Sequence, residues 1–123
     1  MSGRERRLCP RWTLHAAIDV ESDAGRWAGI SYDVSAGGIF VATHGAPELG
    51  VQVAVTVMLP DGTRLLLAGA VRWVRPTTCA SPGLPAGFGI EWDYLPMDAL
   101  RALLHFAELR EPLLSDVESE LKR

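Results

Sequence analysis

Cysteine is scarce in this chain: Cys9 and Cys79 are the only two among 123 residues, and they stand far apart. With no C-x-x-C spacing, neither a disulfide framework nor a zinc site is expected, and a reducing cytoplasmic setting is the default. No apolar run approaches the length needed to span a bilayer, and no secretory pattern opens the sequence, so membrane insertion is not expected. An excess of positive charge is missing too. The net charge is −3, which argues against a general DNA or RNA binder. Catalytic signatures are equally wanting. His15, His44 and His105 lack the i, i+4 spacing of paired metal ligands. Ser35 is not in a G-x-S-x-G elbow, because Asp33 occupies the first glycine position. Phosphate-cradling G-x-x-x-x-G-K and G-x-G-x-x-G stretches do not occur, and Glu91 and Asp93 read as a solvated strand face. The expectation is a non-enzymatic protein with no metal site.

Strand patterning is abundant. Residues 12–21, WTLHAAIDVE, alternate: Trp12, Leu14, Ala16, Ile18 and Val20 face one way, Thr13, His15, Asp19 and Glu21 the other. A turn at SDAG leads to a second strand over 26–33, and GIFVAT makes a third over 38–43. Val51, Val53, Val55, Val57 and Leu59 define a fourth, and PDG at 60–62 is a hairpin signal. RLLLAGAVRWVR, residues 64–75, runs back as a fifth, in which Gly69 suggests a bulge or bend. A Pro/Gly-rich loop then leads to GFGIEWDY as a sixth. Trp12, Trp27, Trp73 and Trp92 all fall in these strands and read as core or rim residues.

The period changes near residue 96. Pro96 introduces Met97, Leu100, Leu103, Leu104 and Ala107, spaced as one face of a helix, and Pro112 ends or interrupts it. Short strands on hairpin-length links predict a mainly β fold: a six-stranded antiparallel β-barrel with a C-terminal α-helix. Length predicts a single domain. It divides into an arginine-rich leader (1–11), a barrel (12–95), a helix (96–111) and an acidic tail (112–123), the last with a stripe of Leu113, Val117 and Leu121 that suits a short helix packing on the barrel, pairing with a second copy, or fraying, with packing or fraying favoured.

Two stretches remain. Arg7-Leu8-Cys9-Pro10-Arg11 is an R-x-x-x-R spacing ahead of the first strand. Asp33-Val34-Ser35-Ala36-Gly37-Gly38 is a D-x-S-x-x-G stretch at a strand junction. The pair, in this order on a six-strand-then-helix chain, resembles the PilZ domain, a bacterial receptor module for cyclic di-GMP. GAVRWVRP and AGFGIEWDYL look like that family's later strands, and the resemblance spans roughly residues 5–108.

The resemblance implies a split-barrel-type PilZ fold and a cyclic di-GMP ligand, with no other cofactor. It implies a ligand site at Arg7, Arg11, Asp33, Ser35 and Gly38, with Gly37 beside them and Arg6 as the extra cation that accompanies a stacked ligand pair. The chemistry is consistent. An arginine fork grips a phosphate or the O6/N7 edge of guanine. An aspartate accepts the guanine N–H donors. A glycine lets the backbone approach a flat ligand. On this reading the leader, mobile when free, orders over the ligand and creates a surface for a partner protein, which the sequence does not identify. The protein would be a monomer or weak homodimer, in motility or another second-messenger pathway. The alternative is a PilZ-like protein-interaction module that no longer binds the ligand.

Overall fold

A computed structural model describes residues 11–110 of the protein, with side chains described through 107. The leader before Arg11, the tail after Arg110 and the expectations placed on them, Arg6 and Arg7 included, lie outside the described residues. The elements run β1 (Arg11–Thr13), β2 (Ala17–Ser22), β3 (Gly25–Val34), β4 (Gly38–Ala42), β5 (Gln52–Met58), β6 (Arg64–Arg75), β7 (Gly87–Trp92), α1 (Met97–His105) and β8 (Glu108–Arg110). The sheet runs β2-β5-β6-β7-β4-β3, and an additional β2–β3 pairing closes it into a six-stranded antiparallel barrel. This is the predicted mainly β architecture with its C-terminal helix. Among the described residues, no helix is long and apolar enough to cross a membrane.

Alternation fills the interior. Ile18, Val20, Val53, Val55, Val57, Val71, Phe88 and Ile90 are all buried, and Ala99 and Leu103 of α1 join the same cluster. At the β5–β6 hairpin Gly62 takes a φ of 91°, a value that glycine adopts at little cost. The Asp61 carboxylate accepts the Thr63 N–H at 2.9 Å, which holds its carboxyl below the ordinary range.

The expected first strand is in fact two. Thr13 pairs with Asp33 and Ala17 with Ile30, so four steps along one chain match three along the other. The chain absorbs the offset at Leu14-His15-Ala16, where it leaves the ladder. Ser31, itself buried, stitches the break: its Oγ accepts the Ala16 N–H at 2.9 Å and donates to the Leu14 carbonyl. Ser31→Ala is therefore expected to strand buried backbone groups and cost about 1–3 kcal/mol, read as a lower urea midpoint with unchanged slope.

The helix is shorter than the periodicity suggests and faces differently. It ends at His105, where the Phe106 and Ala107 N–H groups bond back to Leu103 and Leu104 carbonyls in a tightened last turn. Glu108–Arg110 then forms β8 against β1, with Arg11 opposite Arg110. Ala99 and Leu103 are buried, whereas Met97, expected on the apolar face, is exposed.

Two bulges shape the outer surface. Between β3 and β4 the register runs Ser31↔Val41 to Val34↔Ile39, which leaves one extra residue on β3 at Tyr32-Asp33. Between β6 and β7 it runs Val71↔Ile90 to Trp73↔Gly89, with Arg72 as the extra residue. Gly69, the expected place for a bulge or bend, is in register with both Val53 and Trp92. Its missing Cβ admits the Glu91 carbonyl, which would lie 2.3 Å from it.

Candidate functional site

The bulged strands flank the β4–β7 pair. A bulge turns consecutive side chains to one face, which regular alternation forbids. Tyr32 and Asp33 from β3, and Arg72 and Trp73 from β6, all line one open groove of ≈ 730 Å3 on the outside of the barrel. Gly38, Phe40, Gly89 and Glu91 contribute from the two strands between them, and Gly83 and Leu84 from the β6–β7 loop.

Five of the seven residues singled out in the sequence meet here: Arg11, Asp33, Ser35, Gly37 and Gly38 all line the groove. The route by which Arg11 arrives is visible in the ladder. Trp12 pairs with Val34 and Thr13 with Asp33, so Arg11 stands one step further on, where β3 gives way to Ser35. Its side chain is exposed at that corner.

The corner is a closed turn. The Ser35 N–H donates to the Gly38 carbonyl at 2.9 Å, and the Ser35 hydroxyl accepts the Gly37 N–H at 3.2 Å. Two bonds bolt it to the end of β7: Trp92 N–H to the Gly37 carbonyl at 2.9 Å, and Trp92 Nε1–H to the Ser35 carbonyl at 3.3 Å. Serine closes the turn here, through its hydroxyl. The glycines then separate in role. A Cβ at Gly38 would sit 2.2 Å from the Ile90 carbonyl oxygen, so glycine is demanded by the neighbouring strand. A Cβ at Gly37 would meet nothing nearer than Ser35 Oγ, at 3.8 Å. Neither has a positive φ.

The groove floor holds an aromatic stack. Trp73, expected as a core or rim residue, is 41% exposed and stacks on Phe40, with centroids 4.9 Å apart and planes 17° apart. Gly89 makes room, since a Cβ there would lie 2.3 Å from Trp73 Nε1. The Arg75 guanidinium lies 5.2 Å from the Phe40 centroid and 5.1 Å from that of Trp73, and donates to the Pro85 carbonyl at 3.0 Å. Tyr32 meets Phe40 edge-on and donates its hydroxyl to the Gly83 carbonyl at 3.0 Å. These contacts pin the β6–β7 loop as one wall. Arg72 donates from Nε to Glu91 Oε1 at 2.6 Å. The groove thus offers arginines, a carboxylate corner and a flat aromatic surface, a set suited to an anionic ligand with planar rings.

Comparison with known proteins follows the same line. The family model described as PilZ domain matches residues 5–109. Among solved structures, the chain is similar to the Bacillus subtilis inhibitor of motility (MotI/DgrA), with a TM-score of 0.65 and 18% identity over 81% of this chain. The match covers 49% of that protein, so this chain spans about half its length. At that identity the likeness speaks for the fold. No curated protein matches.

Proposed function

The chain belongs to the PilZ domain family, and from that premise we propose that it is a cyclic di-GMP receptor that acts as an adaptor toward a protein partner. The observation that carries this reading is the convergence of Arg11 with Asp33, Ser35, Gly37 and Gly38 in one groove, from segments about twenty residues apart in sequence.

The roles follow from the donors and acceptors. Arg11 grips a phosphate or the O6/N7 edge of a guanine. Asp33 accepts the N–H donors on the opposite guanine edge. Trp73, already flat on Phe40, supplies a stacking surface for a base. Arg6 and Arg7 precede β1 outside the described residues. In this proposal they close on the ligand from the Arg11 side, and Arg6 serves a second ligand if a stacked pair binds. The surface so formed is what a partner recognises. The reading gives the protein no catalytic step, a cytoplasmic setting, and a place in second-messenger signalling, where control of motility is one output.

Calorimetric titration with cyclic di-GMP tests this and reports stoichiometry. Ligand at a hundred times its Kd should stabilise the fold by about 2.7 kcal/mol, seen as a melting point higher by several degrees. The linear dinucleotide, which cannot present both phosphates in the closed ring, should bind more weakly. A flat titration and an unmoved melting point would leave the protein-interaction reading in possession.

A further inference from the structure

The groove contains an acid whose position is awkward for a receptor of anions. Glu91 is the Cα partner of Gly38 on the neighbouring strand, so its carboxylate stands beside the D-x-S-x-x-G corner. It also faces Arg72, the extra residue of the β6 bulge, with Nε 2.6 Å from Oε1. Both side chains are more than half exposed, at 57% and 58%. An exposed ion pair of this kind is held only weakly, because water and salt screen it.

The cations of the groove are not equally committed. Arg75 lies 5.2 and 5.1 Å from the Phe40 and Trp73 centroids and donates to the Pro85 carbonyl. Arg72 engages Glu91 with one of the five N–H donors that a guanidinium carries. It sits at the outer end of the aromatic floor, one residue before Trp73, and is the groove cation whose present partner is a solvent-exposed carboxylate.

Resting on the cyclic di-GMP reading, we propose that Glu91 is a built-in competitor: it holds Arg72 in the groove and yields it to a ligand phosphate, so that the carboxylate sets the affinity below what the cations alone would give. Arg72 loses one charged partner and gains another, while Glu91 is left facing solvent and the ligand's negative charge. The exchange makes Arg72 a phosphate contact in addition to the arginines of the R-x-x-x-R spacing. It also makes the affinity less dependent on ionic strength than the cations alone would, since salt screens the attraction by Arg72 and the repulsion by Glu91 in opposing senses.

The test is calorimetry with cyclic di-GMP on the full chain as wild type, Glu91→Gln, Arg72→Ala and the double variant, at about 50 and about 500 mM salt, which brackets strong and weak screening. Glutamine keeps a hydrogen-bonding partner for Arg72 and removes only the charge. Glu91→Gln is expected to bind about tenfold more tightly at low salt, with the gain shrinking at high salt, and Arg72→Ala about tenfold more weakly. In the Arg72→Ala background the gain from Glu91→Gln should be smaller than in the wild type, because only the repulsion remains to be relieved. Binding by the wild type with unchanged or weakened binding by Glu91→Gln overturns the competitor role alone. Absence of binding by the wild type overturns the ligand reading and this inference with it. Unchanged melting points of the free variants identify an affinity change as electrostatic; a lowered melting point in Glu91→Gln with no tighter binding assigns the ion pair to the fold and overturns the proposal.

Discussion

Gly38→Ala is expected to cost about 3 kcal/mol of stability and to abolish ligand binding at the same time. The added methyl would fall 2.2 Å from the Ile90 carbonyl oxygen and 3.3 Å from Glu91 Cα, both backbone atoms of β7. A flexible side chain could swing aside, but a paired strand cannot. To make room, β4 must withdraw from β7, and that ladder carries the groove floor and the bonds from Trp92 to the Ser35–Gly37 turn. Urea unfolding would register the loss as a reduced midpoint. A Gly38→Ala variant as stable as the wild type would contradict the close strand approach. Gly37→Ala is the matched control. Its methyl meets nothing closer than an ordinary contact with Ser35 Oγ, so the fold should be unaffected. Any loss of affinity in that variant reports the ligand's approach to the backbone, which a binding loss in Gly38→Ala cannot do.

Arg11→Ala should weaken cyclic di-GMP binding by about a hundredfold while leaving the melting point of the free protein nearly unchanged. One or two charge-assisted hydrogen bonds at about 1.5–3 kcal/mol each account for that size. The exposed side chain buries nothing in the barrel, so little stability is at stake. Arg11→Lys should recover only part of the affinity, because an ammonium keeps the charge and lacks the planar fork. Calorimetry on the three proteins decides the matter. Equal affinities would remove Arg11 from the site and leave the groove's function to β6 and the loop wall.

The barrel was legible in the sequence because closed antiparallel sheets leave a period-two signature, and Val53, Val55 and Val57 carry it without interruption. The helix was legible as to type and not as to end. Nothing local in AELR announces that Glu108–Arg110 will take a strand partner from the far end of the chain, because β8 exists only where β1 offers an open edge. The split of the first strand had the same origin. Leu14 and Ala16 keep their alternation, and the offset lies in the pairing with β3. At the site, the two short motifs were readable as spacing, whereas the roles of Arg72, Trp73 and Phe40 were not. Their placement depends on the β6 bulge, which turns Arg72 and Trp73 outward together, and on Gly89, which leaves space beneath the indole. Strict alternation would have put Arg72 and Trp73 on opposite faces, and no residue in the fifth strand marks the extra one. Gly69 hinted at irregularity there, yet it serves close packing, two residues before the bulge begins.

The β1–β8 seam has a practical consequence. Because Arg11 and Arg110 are Cα partners, the two ends of the described fold stand about 5 Å apart. A host protein could therefore carry this unit spliced into a surface loop with almost no spreading of the loop's two stems. Arg11 also lines the groove, so one of the two stems would run directly beside its lining.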